Sequence, residues 1–149
     1  MVKTSGRLDV FVDTSALVAA FLSPNGAAGV LLLLHRASVI RIVISEYVLM
    51  ELRRSPRLRP LGVRRRFASF LLTRPRVLPL PPLASVQHAA RVISPKDAPI
   101  LASAKAARVA VLVTWDKEFL KQEVGRYLKR PILLPGEFLK RFRSGWAKH

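Results

Sequence analysis

Four acidic residues carry the chemistry this sequence offers, and two of them, Asp97 and Asp116, bracket its most regular stretch. Asp97 opens a helical pattern in which Ile100, Leu101, Ala104 and Ala107 share one face, while Lys105 and Arg108 fall on the other. The run from Val109 to Val113 is then apolar throughout, as in a strand covered on both faces, and it stops at Thr114, Trp115 and Asp116. One carboxylate thus stands at a helix start and another at a strand exit. In a parallel α/β sheet those positions share the edge at which ligands bind. Two acids meeting there suggest a metal.

Two further acids are compatible with the same edge. Asp13 ends the apolar run Leu8 to Val12, and Glu51 lies on a helical segment that follows the strand-like Val39 to Ile44. Glu46 shares that segment, but five residues separate the two, roughly 140° at 3.6 residues per turn, so only one of them can face a given ligand. Glu51 sits roughly 9 Å down its helix from Ser45 and must point back toward the helix start to reach the edge. Each acid also has an ordinary use. Asp97 suits a helix cap, Asp13 and Asp116 suit turns at strand ends, Glu51 suits a solvated helix face, and Glu46 favours a helix start electrostatically. Their joint placement in a chain with only nine acids favours the shared site. Ser15 and Thr114 fit caps or structural hydroxyls, and His35, His88 and His149 are too dispersed to form a centre.

The elements that must position these residues alternate. After the strand Leu8 to Val12, Ser15 or Thr14 caps a helix over Ala16 to Leu22, the turn Ser23, Pro24, Asn25, Gly26 follows, and Ala27 to Arg36 is a second, apolar helix. Val39 to Ile44 is the second strand, and Ser45 caps a helix whose core face is Val48, Leu49 and Leu52. Arg76 to Leu83 reads as a short strand and an extended connection, and Ser85 to Val92 as a short helix. Residues 117 to 124 look helical, Ile132 to Leu134 like a last strand, and Glu137 to Phe142 like a terminal helix. The alternation predicts a single three-layer α/β/α domain over residues 1–149 with a mostly parallel central sheet, as in Rossmann-like folds.

Composition narrows the partners. A chain of 149 residues that is 50% hydrophobic supports one domain with a proper core. Its 26 lysines and arginines against 9 acids give a formal charge of +17, which calls for a polyanion, most simply nucleic acid. The absence of cysteine excludes disulfides and thiolate metal sites and fits a reducing, cytoplasmic setting. No secretory signal is expected, since Asp9 and Asp13 interrupt the N-terminal apolar segment, and Ala27 to Leu34 is too short to span a bilayer. From Leu52 to Lys96 the chain has no acid at all, while Arg53, Arg54, Arg57, Arg59, Arg64, Arg65 and Arg66 crowd together. Such a cluster repels itself unless an anion neutralises it, and it reads as a track feeding phosphates toward the acids.

Four segments together, VFVDTSALVAAF at 10–21, SEYVLMELRR at 45–54, KDAPILASAKAARVAVLVTWDKEFL at 96–120 and ILLPGEFLKR at 132–141, resemble a PIN domain. The similarity is strongest to the single-domain toxins of toxin-antitoxin pairs. It implies that Asp13, Glu51, Asp97 and Asp116 are the catalytic acids and bind Mg²⁺ or Mn²⁺, that Ser15 and Thr114 support them, and that the substrate is single-stranded or structured RNA. Trp115 stands where the family more often has a small or polar residue, and Glu118 where Asp is common. The chemistry of the residues agrees. Clustered carboxylates raise one another's pKa unless cations intervene, and oxygen donors without His or Cys select Mg²⁺ or Mn²⁺ over zinc. A two-ion arrangement, with ions about 3.5 to 4 Å apart, would activate water and stabilise the departing 3′ oxygen, leaving 5′-phosphate ends. The expected partners are RNA, a small antitoxin and, from the apolar second helix, a second copy in a homodimer, with no membrane. A non-catalytic PIN-like RNA-binding module is the alternative. A receiver-type domain does not suit the basic charge, and a dinucleotide-binding enzyme does not suit a first strand that runs into VDTS instead of a glycine-rich turn.

Overall fold

In a computed structural model that describes residues 6–146, five strands form one parallel sheet. They are β1 (Leu8–Val12), β2 (Ile40–Ser45), β3 (Arg76–Leu78), β4 (Val111–Val113) and β5 (Ile132–Leu133), in the order β3-β2-β1-β4-β5. The helices are α1 (Thr14–Leu22), α2 (Ala27–Arg36), α3 (Glu46–Arg54), α4 (Leu61–Leu72), α5 (Leu83–Ala89), α6 (Ala98–Ala107), α7 (Gln122–Leu128) and α8 (Pro135–Arg143), with a 3-10 turn at Pro56–Leu58. The three central strands are covered on both faces, so their sequences are apolar without alternation: Val10, Phe11, Ile42, Val43, Ile44, Val111, Leu112 and Val113 are all fully buried.

The strand order fixes where a site can form. The chain builds outward from β1 through β2 to β3, then returns to place β4 on the other side of β1 and β5 beyond it. The order therefore reverses between β1 and β4, and the crevice beyond the carboxyl ends of those strands is the switch point of the sheet. Register holds the two ends level. Val12 lies opposite Val113, and the Asp13 amide donates to the Val113 carbonyl at 3.2 Å.

The turn between α1 and α2 folds tightly back onto α2 because α2 has a glycine at the contact. A Cβ on Gly29 would lie 2.0 Å from the Pro24 carbonyl oxygen, so any side chain there would force the turn off the helix. Among the described residues no single helix is long and apolar enough to cross a bilayer. α1 and α2 carry enough apolar residues only together, across a 93° bend, and contribute much of their surface to the core.

Several element boundaries differ from the sequence expectation. The cap of α1 is Asp13 itself, not Thr14 or Ser15: its carboxylate accepts from the Ala16 amide, which leaves both hydroxyls inside the first turn and free for other partners. Residues 117–120 form turns, and α7 starts only at Gln122. The Asp116 side chain accepts from the Glu118 amide at 2.9 Å, and the Phe119 and Leu120 amides bond the Asp116 and Lys117 carbonyls three residues back at 3.1 Å, tight turns that are not continued into an α-helix. Helix α5 begins at Leu83, directly after Pro82, and ends before Val92. Leu134 leaves the last strand to cap α8, its amide held by Glu137 at 2.9 Å. Ser45 caps α3 as expected, accepting from the Val48 amide at 3.1 Å. His149 lies outside the described residues.

Candidate functional site

Asp13 is the centre of a hydrogen-bonded knot that joins the exits of β1 and β4. Its Oδ1 accepts from the Ser15 hydroxyl at 2.7 Å and the Ala16 amide at 3.1 Å, and its Oδ2 accepts from the Thr114 hydroxyl at 2.6 Å. Both hydroxyls are used twice. Ser15 Oγ accepts from the Trp115 amide at 2.9 Å, and Thr114 Oγ1 accepts from the Asp116 amide at 2.8 Å. The loop carrying Asp116 is therefore fastened to the loop carrying Asp13 by two side chains whose protons point at Asp13.

The other two acids arrive from helices. Asp97 occupies the cap position of α6, yet its carboxylate makes no capping bond. It accepts instead from the Ser94 hydroxyl at 3.1 Å, a bond to the loop before the helix. Glu51, in the middle of α3, accepts a short hydrogen bond from the Thr14 hydroxyl, which draws its side chain back toward the start of α1. Thr14 and Ser94 were not expected in these roles. The signal lay in their spacing: Thr14 adjoins Asp13, and Ser94 precedes Asp97 by three residues.

Electrostatics connects the four acids. Asp13 is only 2% exposed, and burial pushes its carboxyl up to about 6 although three donors oppose the shift; the charge of Asp116 adds to it. Asp97 is also raised, first by burial and then by Asp116, with Ser94 and Lys96 opposing and Glu51 adding to the rise. Asp116 is thus felt by both Asp13 and Asp97, and Asp97 feels Glu51 as well. Even so, among the described residues no three acidic or histidine side chains converge into a ready-made cation cage. The donor set fits a hard divalent ion, since it consists of carboxylate oxygens with threonine and serine hydroxyls behind them, and such an ion would relieve the repulsion and burial cost that raise Asp13 and Asp97.

Around this edge, Trp115 is 49% exposed, while the Glu118 carboxylate turns away to Lys121 at 3.1 Å. The arginine cluster is spread over α3, the 3-10 turn and α4. Arg53, Arg54, Arg57, Arg59, Arg64 and Arg65 are exposed, whereas Arg66 is half-buried and donates to the Phe21 carbonyl at 2.6 Å. Consecutive positions on α4 point about 100° apart, so Arg64, Arg65 and Arg66 fan around the helix instead of sharing a face.

The PIN domain family model matches residues 10–124, a span that contains all four acids. Comparison with curated protein sequences gives no significant match. Among solved structures, the crystal structure of PAE2754 from Pyrobaculum aerophilum is similar with a TM-score of 0.63 and 23% identity, covering 92% of this chain and 96% of that one, a likeness of fold. With a match over most of its length and a five-stranded parallel sheet between helices, the chain belongs to the PIN domain family, whose fold is nuclease-like and whose members are usually metal-dependent ribonucleases.

Proposed function

We propose that the chain is an Mg²⁺- or Mn²⁺-dependent endoribonuclease. The observation that carries this reading is the electrostatic linkage of Asp13, Asp97, Asp116 and Glu51, delivered by four different segments to the switch-point edge of a chain with a net charge of +17. Asp13, Asp97 and Asp116 would hold the divalent ion, with Glu51 binding it or orienting water. When bound, such an ion lowers the pKa of water and offsets charge on the cleaved phosphodiester. Ser15 and Thr114 fix the Asp13 carboxylate in one orientation and set its distance to the Asp116 loop. Trp115, half-exposed beside Asp116, offers a face on which a base of single-stranded RNA can stack.

The test is cleavage of a labelled single-stranded RNA with Mn²⁺. Asp116→Asn keeps an acceptor for the Glu118 amide, so it should fold normally and yet lose more than about a hundredfold in rate. Thr114→Val should lose roughly ten- to a hundredfold, because it acts through Asp13 and Asp116. Undiminished cleavage by Asp116→Asn would overturn the assignment. A non-catalytic RNA-binding module is favoured by one feature, the lack of a preformed cation cage among the described residues; it predicts RNA binding with no cleavage and no Mn²⁺-dependent rise in melting temperature. We further propose, from the chain's resemblance to single-domain toxins, that a small antitoxin protein restrains the activity and, from the apolar α2, that the protein is a homodimer. Growth arrest on expression, relieved by Asp116→Asn, would support the toxin role.

A further inference from the structure

The edge of the sheet where the strands begin is chemically unlike the edge where they end. From Asp9 to Asp13 along β1 is about 13 Å at 3.3 Å per residue. At the Asp9 end, a cavity of about 430 Å³ opens between the start of β1, the loops entering β4 and β5, and the end of α8. Arg108, Lys129, Arg130 and Arg141 line it, together with Trp146. Asp9 is the carboxylate in its wall, and that side chain is engaged by Arg41 at 2.7 and 2.9 Å and by Arg76 at 3.4 Å. No ion pair holds Arg108, Lys129, Arg130 or Arg141 among the described residues.

Two details show that these cations are placed and not merely abundant. Arg108 and Lys129 follow the last turns of α6 and α7 with φ of 55° and 60°, a left-handed backbone that glycine or asparagine adopts with less strain. Attraction to a helix C-terminus accounts for one charge at each end. It does not account for Arg130, whose guanidinium is oriented by the Val109 and Lys129 carbonyls at 3.2 and 3.3 Å without being neutralised, nor for Arg141, which lies 4.6 Å from the centre of the Trp146 ring. Four unpaired cations around one cavity repel each other, and an anion relieves that repulsion. Guanidinium forks suit phosphate, and the Trp146 ring, packed on Phe138 at 5.6 Å with Arg141 over it, stands in the cavity wall where an anion drawn to Arg141 would alter its surroundings.

We propose that this groove is a second nucleic-acid site, separate from the acids, in which phosphates of single-stranded RNA sit on Arg108, Lys129, Arg130 and Arg141, beside Trp146. The choice of RNA as the polymer rests on the ribonuclease reading. The site itself does not depend on cleavage.

The two tryptophans, Trp115 at the acidic edge and Trp146 in this groove, permit a test that separates the two. In Trp115→Phe the remaining indole reports the groove alone, and EDTA prevents cleavage. Titration with a 12-nucleotide oligouridylate should quench Trp146, and the affinity should weaken with salt. Replacing both Arg108 and Lys129 by Gly removes two cations while suiting the left-handed backbone, so the variant should stay folded by circular dichroism. Its log affinity versus log salt slope should be shallower by about 1.4, at roughly 0.7 per phosphate contact of a single strand. An unchanged slope in that variant would overturn the proposal. So would a silent Trp146, whether or not Trp115 responds in a Trp146→Phe protein, or stronger quenching by a polyglutamate peptide than by the RNA. A protein that passes without cleaving RNA would retain the groove and lose the nuclease reading; a protein that cleaves but fails would do the reverse.

Discussion

Asp13 shows how burial can outweigh hydrogen bonding at a single carboxylate. Its two oxygens accept three hydrogen bonds, each favouring the charged form, and its carboxyl is nevertheless pushed up to about 6 because it is almost completely removed from water. The direction of the resulting pH dependence follows from proton counting. A carboxyl raised in the folded protein binds its proton more tightly there than in the unfolded chain, so its contribution to stability is fully present below the ordinary value of 3.8 and is lost as pH rises through about 6. In EDTA, the melting temperature of the protein should therefore fall between pH 4.5 and 7 by about 5 °C or more relative to Asp13→Asn, whose neutral side chain can still cap α1. Mn²⁺ should raise the melting temperature of the unaltered protein more at pH 7 than at pH 4.5, since the ion then meets a deprotonated carboxylate. A difference between the two proteins that stays flat across this window would contradict burial as the cause.

The helices decide which arginines are available to a ligand, and here α4 separates residues that look identical in sequence. Arg66 Nε donates to the Phe21 carbonyl near the end of α1, whereas Arg64 and Arg65 are exposed. Arg66→Gln should cost about 1 kcal/mol of stability in denaturant unfolding, while Arg64→Gln and Arg65→Gln should stay within about 0.5 kcal/mol of the unaltered protein. Equal effects at all three positions would mean that the bond to Phe21 carries no energy. This distinction was not legible in RRR, because only the phase of the helix tells the three apart. The strands were legible to within a residue or two, since continuous apolar runs such as VFV and VLV leave few other placements. The positions of Asp13 and Asp116 followed from those strand ends. What remained hidden was local competition for hydrogen bonds: Asp13 takes the cap that its neighbours could have supplied, Asp97 declines the cap it stands on, and i→i+3 turns occupy residues 116–120 before α7 starts at Gln122. In each case the partners lie within three residues, and a spacing that permits several such local bonds does not say which of them wins.

Over the whole molecule, the few acids and many cations are divided unequally. Asp13, Glu51, Asp97 and Asp116 interact at one edge of the sheet, while Arg108, Lys129, Arg130 and Arg141 surround a cavity at the other, and exposed arginines lie along α3 and α4. A net charge of +17 creates a field that draws RNA toward the protein before any specific contact forms, and salt weakens that attraction. The proposed cleavage step would follow capture, among buried and half-buried groups that salt screens less. For the proposed ribonuclease, capture and chemistry should therefore separate. If about five phosphates of a single strand are neutralised, kcat/KM should fall roughly a hundredfold between about 50 and 200 mM salt, following a log-log slope near −3.5. Over the same range kcat at saturating RNA should change by less than about twofold, because neutral serine and threonine hydroxyls, which salt does not screen, hold Asp13, Asp97 and Glu51. Initial-rate measurements across that salt series, at fixed Mn²⁺ and pH, separate the two quantities. A kcat that falls in parallel with kcat/KM would mean that salt disturbs the acidic site itself, and the surface cations would then have no separate role in capture.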